Sequence, residues 1–139
     1  MTEQTPEKDP GDWLRRLAPA EWLAAAETEL AHAEAALARR AFRPGVTHLR
    51  RAAGMACNAL LWQEARPHWG RSYMEHVVAL GDDAAAPEEI RSAARVLRET
   101  PPAAPPLVSL GRPGDLPEAA VAPLAATRAI LAWARAGLS

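Results

Sequence analysis

A short segment between Arg39 and Arg51 carries the strongest local charge excess in the sequence, with five arginines, His48 and no acidic residue. Positive side chains bind phosphate oxygens, and contacts to phosphates require no particular base sequence. The segment is therefore predicted to bind phosphate or an acidic partner through the following residues: Arg39, Arg40, Arg43, Arg50 and Arg51. Base stacking is not favoured, because Phe42 is the only aromatic residue of the segment.

The same arginines also have a structural interpretation. Arg39 and Arg40 would lie at the C-terminal end of a predicted helix, where positive charge complements the helix dipole. Arg50 and Arg51 would lie near the positive end of the next predicted helix, where this explanation does not apply. These two residues are therefore the stronger candidates for contacts to a ligand.

A second polar group, comprising His68, Ser72 and Glu75, recurs at spacings of four and three residues. On one helix these side chains share a stripe, a geometry that can hold a metal ion. The group lacks an identifiable further ligand, so a solvated polar face is favoured and no metal or other cofactor is expected. The sequence also has no glycine-rich phosphate loop and no GxSxG, HExxH or DxDxDG motif, so the commonest enzyme signatures are absent.

The composition favours one small, helix-rich, cytoplasmic domain. The chain has 139 residues, enough for a self-sufficient core, and alanine dominates its apolar fraction of 49%. Its 16 basic and 17 acidic residues give the whole chain no field that attracts nucleic acid. The single cysteine, Cys57, excludes an intramolecular disulfide and is predicted to be a core residue. No signal sequence or membrane-spanning run is recognised, and the preference for arginine over lysine indicates a bacterial source.

Hydrophobic periodicity predicts an all-α, up-and-down bundle of four to five helices. Four helices are expected at about 20–40, 46–64, 67–80 and 87–99. Asp115 with Glu118 forms a capping signature for a further helix at the C-terminal end of the sequence. Pro44 and Gly45 are expected to break the chain between the first two helices. The second helix is rich in small residues and is predicted to be the most buried. Residues 1–12 are predicted to be a disordered lead-in, and 13–139 one helical domain with a Pro-rich connector at 100–116.

Three of these segments resemble the helices of HEPN domains. EWLAAAETELAHAEAALARRAF is similar to the family's opening helix, HLRRAAGMACNALLW to its second helix, and AILAWARAGL to its closing helix. Together the segments extend from about residue 20 to residue 138. The resemblance implies a HEPN-like helical bundle that forms a homodimer or binds a partner protein such as a nucleotidyltransferase. It also implies a bacterial toxin–antitoxin or defence context.

Many HEPN proteins are metal-independent ribonucleases whose signature is an arginine followed, after four to six residues, by a histidine. The resemblance therefore implies Arg71 and His76, in RSYMEH, as a catalytic pair. The histidine would transfer a proton, and the arginine would stabilise charge on the scissile phosphate. On one regular helix the two residues would lie about 140° apart. This spacing predicts Arg71 on the solvent side and His76 at the border of the inward face.

The sequence departs from the family at positions expected to face a ligand or a cleft between subunits. Gly54, Met55 and Asn58 stand where the family usually has Glu, Lys and Lys. The favoured function is therefore a non-catalytic or degenerate HEPN-type interaction module, with RNA binding not favoured. Two alternatives remain open: a HEPN ribonuclease that uses Arg71 and His76, and a helical adaptor unrelated to HEPN.

Overall fold

The computed structural model describes residues 12–64, 66–102 and 116–138. Every regular element in these ranges is helical, which confirms the predicted all-α bundle. The helices are α1 (Asp12–Arg15), α2 (Pro19–Ala38), α3 (Phe42–Leu61), α4 (Tyr73–Gly81), α5 (Glu88–Glu99) and α6 (Glu118–Gly137), with a 3₁₀ turn at Pro67–Trp69. The described helices number six rather than four to five, because the short α1 precedes the predicted ones. Of these helices, none combines the length and apolarity needed to cross a membrane.

Parts of the predicted organisation fall outside the described residues. They comprise the lead-in at 1–12, except Asp12, and most of the Pro-rich connector, including the capping candidate Asp115. The last helix, α6, begins at Glu118 with Pro117 in the capping position, so the predicted signature, which requires Glu118 three residues after the cap, is not formed. The helix continues through Pro123, whose side chain is buried. Pro123 therefore neither ends the helix nor sets its start.

The helix α3 is the centre of the bundle and packs against α2, α4 and α6. Its residues from Ala52 to Ala59 are all buried, a pattern that requires neighbours around the whole helix. Small side chains allow this close packing: a Cβ added at Gly54 would lie 2.4 Å from the Cβ of Tyr73 on α4. Cys57 is also buried, and burial raises the pKa of its thiol to about 12. The prediction that this helix is the most buried one is therefore correct.

The turn between α2 and α3 lies earlier than predicted, because Pro44 and Gly45 belong to the first turn of α3. Proline is tolerated there, since the first turn does not use its backbone N–H groups within the helix. The chain reverses instead at Arg40, which has φ 63°. Around it the N–H of Ala41 donates to the Ala36 carbonyl at 2.8 Å, and the N–H of Arg40 donates to the Leu37 carbonyl at 3.0 Å. This hydrogen-bond pattern is a Schellman motif, which usually has glycine at the left-handed position.

The predicted helix at 67–80 is divided into two elements. Pro67–Trp69 forms a 3₁₀ turn, and Gly70 then adopts φ 70° and ψ −159°, a conformation that favours glycine. Ser72 caps the start of α4, because its Oγ accepts a hydrogen bond from the N–H of Glu75 at 3.1 Å. Arg71 therefore precedes the helix, and the helical angle of about 140° does not describe its position relative to His76.

Candidate functional site

The structure places His76 in the core rather than at the border of the inward face, with none of its surface exposed. The Nδ1–H group donates to the carbonyl oxygen of Trp69 at 2.7 Å, and the ring stacks on Trp13 with 5.7 Å between centroids and 27° between planes. Burial lowers the pKa of His76, although the Trp69 carbonyl and the charge of Glu75 act in the opposite direction. The imidazole is therefore neutral at neutral pH and out of contact with solvent in this conformation.

Arg71 is exposed, as predicted, and its guanidinium carbon lies 5.8 Å from the centroid of the Trp13 ring. Both members of the predicted pair thus contact the same indole. They do not share an open surface, because His76 has no exposed atoms. A proton-transferring group must come within hydrogen-bond reach of the reacting atoms. Within one chain, this conformation does not bring both side chains to one phosphate.

The helix α1 holds Trp13 over His76. The backbone carbonyl of Leu14 accepts hydrogen bonds from the indole N–H groups of Trp22, at 2.7 Å, and Trp62, at 3.1 Å. These contacts fix α1 on α2 and on the residue that follows α3. The Nε2 atom of His76 is buried, and no group in the described ranges forms a hydrogen bond with it.

Arg50, predicted as a ligand contact, binds the C-terminal end of α5. Its Nε donates to the Leu97 carbonyl at 3.1 Å, and its Nη2 donates to the carbonyls of Arg98, at 3.4 Å, and Thr100, at 2.8 Å. A helix C-terminus has unsatisfied carbonyls and a partial negative charge, which a guanidinium group satisfies. The structure therefore gives Arg50 a role in joining α3 to α5.

The other predicted arginines lie in different surroundings. Arg51 forms an ion pair with Glu29 of α2, with 3.3 Å between Nη2 and Oε1. Arg40 occupies the turn between α2 and α3, and Arg39 and Arg43 are exposed on either side of it. Arg50 and Arg51 are thus directed to different helices, α5 and α2. Binding of phosphate or an acidic partner by this segment remains a prediction.

The polar group His68, Ser72 and Glu75 does not lie along one helix. His68 belongs to the 3₁₀ turn, and the hydroxyl of Ser72 caps α4. His68 pairs with the carboxylate of Asp83, with 3.8 Å between Nε2 and Oδ2. The helical stripe that would have held a metal ion is therefore not formed.

Asp83, which follows α4, holds the 3₁₀ turn in place. Its Oδ2 accepts hydrogen bonds from Arg66, at 2.8 Å, and from the indole of Trp69, at 3.0 Å, while Oδ1 accepts the N–H of Ala85 at 2.9 Å. Burial raises the pKa of Asp83, but these hydrogen bonds and the charge of Arg66 outweigh burial and lower it overall. Trp69 thereby joins Asp83 to His76, whose ring it binds through its carbonyl.

Sequence reasoning missed a cluster between α2 and α3. One potential ligand atom each from Glu29, His32 and His48 lies within 4.8 Å of the others. Two signals pointed to it: Glu29 and His32 are three residues apart on one helix, and His32 and His48 are each eight positions from Arg40. In a helical hairpin, residues at equal distances from the turn lie opposite one another. The turn position had been predicted at Pro44 and Gly45, so this pairing was not found.

A shallow groove follows the outer face of α4. Its volume is about 490 Å³, and its lining residues are His68, Met74, Glu75, Val78, Ala79 and Asp82. The apolar members are partly exposed, and Glu75 and Asp82 are exposed acids. The groove thus combines an apolar floor with two exposed acids at its rim, of which Asp82 also pairs with Arg98 at 4.0 Å.

Comparison with protein families, curated proteins and solved structures found no match to this chain.

Proposed function

We propose that the chain is a non-catalytic, HEPN-type interaction module that binds a second protein chain. The observation that carries this proposal is the complete burial of His76 beneath Trp13. The residue that the resemblance assigns to proton transfer is neutral, and its Nδ1–H is bonded to a backbone carbonyl. If this histidine packs in the core of a HEPN-like bundle, the bundle has no acid–base group for catalysis. Its surfaces remain available for binding.

The groove on α4 is the surface that best suits a protein partner. Met74 and Val78 offer apolar contacts, while Glu75 and Asp82 offer negative charge at the rim. An amphipathic helix that carries lysine or arginine beside its apolar residues complements both features. The resemblance suggests two sources of such a helix: a second copy of this chain, or a nucleotidyltransferase partner in a bacterial toxin–antitoxin system.

Incubation of the purified chain with RNA in the presence of EDTA tests the absence of catalysis. We expect no cleavage by the wild type, and therefore no difference on replacing His76 with glutamine or Arg71 with alanine. Metal-independent cleavage by the wild type that both substitutions abolish, with the helical circular dichroism signal preserved, would overturn the non-catalytic assignment.

Sedimentation velocity of the chain alone, and with a purified candidate nucleotidyltransferase, tests the binding surface. Val78→Asp should weaken the association, because it places a charge on the apolar floor of the groove. Val121→Asp on α6 is the matched control, since Val121 is 55% exposed and lies outside the groove. Equal effects of the two substitutions, or no association under either condition, would contradict the α4 groove as the docking surface.

The ribonuclease alternative retains one specific observation in its favour. Arg71 and His76 both contact Trp13, so movement of α1 away from the bundle would uncover His76 beside Arg71, which is already exposed. Trp13→Ala should then confer RNA cleavage that depends on His76. A folded Trp13→Ala variant without cleavage would contradict this alternative.

A further inference from the structure

Two histidines and a glutamate lie close together between α2 and α3. None of them belongs to the Arg71–His76 pair. Glu29 and His32 lie on α2, and His48 lies on α3. One ligand atom from each residue lies within 4.8 Å of the other two. We propose that these three side chains form a binding site for a divalent transition-metal ion, with Zn²⁺ as the physiological ion. This site is additional to the proposed interaction function and does not depend on it.

The distances require only small movements to accommodate zinc. Four-coordinate zinc has bonds of about 2.0–2.2 Å to nitrogen and oxygen, which place its ligand atoms roughly 3.3–3.6 Å apart. The Nδ1 of His48 and the Oε2 of Glu29 are now 2.5 Å apart, so this pair must separate by about 1 Å. The ligand atoms of the three residues lie up to 4.8 Å apart, and this largest separation must shorten by about 1.2–1.5 Å. His32 is exposed, so its ring can rotate toward the ion without repacking the core.

The carboxylate is already oriented for this role. The side chain of Glu29 is only 13% exposed, and its Oε1 is held by Arg51 at 3.3 Å while its Oε2 faces His48. Outer contacts of this kind orient ligating carboxylates in metalloproteins. The side chain of His48 is 30% exposed, and its ring lies 5.4 Å from that of His32 at 65°. An ion can therefore enter from solvent, and water can occupy its fourth position.

The donor set selects the class of metal. Two imidazoles and one carboxylate suit Zn²⁺, Co²⁺, Ni²⁺ and Cu²⁺, whereas Ca²⁺ and Mg²⁺ prefer sites made of oxygen atoms. Zinc has no geometric preference from its d electrons and commonly binds three protein ligands plus water. The competing interpretation is that Glu29 only forms a hydrogen bond with His48 and an ion pair with Arg51.

Titration of the tag-free protein with Zn²⁺ by isothermal calorimetry, and with Co²⁺ by visible absorption, tests the site. We expect one ion per chain, with cobalt bands typical of four-coordinate nitrogen and oxygen ligation. His32→Ala should lower the zinc affinity by at least about tenfold, because even the loss of an outer partner costs 10–100-fold at metal sites. His48→Gln should have a similar effect.

His68→Ala is the matched control, because the side chain of His68 is 64% exposed and lies outside the cluster. This variant should bind zinc as the wild type does. Unchanged affinity in His32→Ala, an equal loss in His68→Ala, or no saturable zinc binding by the wild type would overturn the proposal. Because His32 is exposed, its replacement leaves the core packing intact, and circular dichroism of each variant checks that the fold is retained.

Discussion

Replacement of Gly54 by alanine tests how closely α3 and α4 pack. An added Cβ would lie 2.4 Å from the Cβ of Tyr73 and 2.6 Å from its Cα. Because the second atom belongs to the backbone, no side-chain rotation relieves the clash, and the helices must separate. Overpacking of a core costs about 1–3 kcal/mol, and the better helix propensity of alanine returns about 1 kcal/mol. With a contact this short the overpacking cost is near the top of its range, so we expect Gly54→Ala to lose about 1–2 kcal/mol of stability.

Gly81→Ala on α4 is the matched control for this prediction. There the added Cβ would lie 3.2 Å from the Cγ of Arg95, a flexible side chain that can move away. The same substitution should therefore leave stability unchanged or raise it by up to about 1 kcal/mol. The free energies of unfolding come from urea titrations followed by circular dichroism. A Gly54→Ala protein as stable as the wild type would refute the close contact between α3 and α4.

Three other substitutions test individual contacts by the same unfolding measurement. Arg40→Gly should stabilise the chain by about 0.5–1 kcal/mol, because Arg40 has φ 63° at a position that favours glycine; a loss of stability would contradict the Schellman turn. Arg50→Ala should cost about 1–2 kcal/mol by leaving the carbonyls at the end of α5 unsatisfied, whereas the exposed Arg43→Ala should stay within about 0.5 kcal/mol. Asp83→Asn should cost about 1–3 kcal/mol at pH 7. Because the folded-state pKa of Asp83 is lowered, this difference should shrink as pH falls below about 4; a difference independent of pH would exclude the charge of Asp83 as its cause.

The central position of α3 was predictable because a helix that is buried on all sides has a characteristic composition. Most residues from Ala52 to Ala59 are small, a composition that is typical of close helix packing, and all residues in this range are buried. Cys57 was placed in the core for the same reason. The helical class followed from periodicity, which depends on the helix itself and not on how helices are arranged.

The local breaks were harder to predict, since backbone conformation decides them. Pro67 is compatible with either a 3₁₀ turn or the first turn of an α-helix, and only the positive φ of Gly70 separates the two. Pro44 is similarly compatible with a break between helices or with the first turn of α3, and the end of α2 decides between the two. The contacts of Arg50 with α5 and of Trp13 with His76 join residues far apart in sequence, so no local pattern records them.

The protonation state of His76 most directly tests the claim that this residue serves the fold rather than chemistry. Long-range ¹⁵N–¹H NMR spectra identify the tautomer and follow the ring through a pH titration. We expect a neutral ring with its proton on Nδ1 at pH 6.5, where an ordinary histidine is about half protonated, and a titration midpoint below that value. The unfolded state then binds more protons than the folded state below about pH 6.5, so stability should fall as pH decreases from there. A His76 ring that titrates at or above pH 6.5, or carries its proton on Nε2, would contradict the buried structural role.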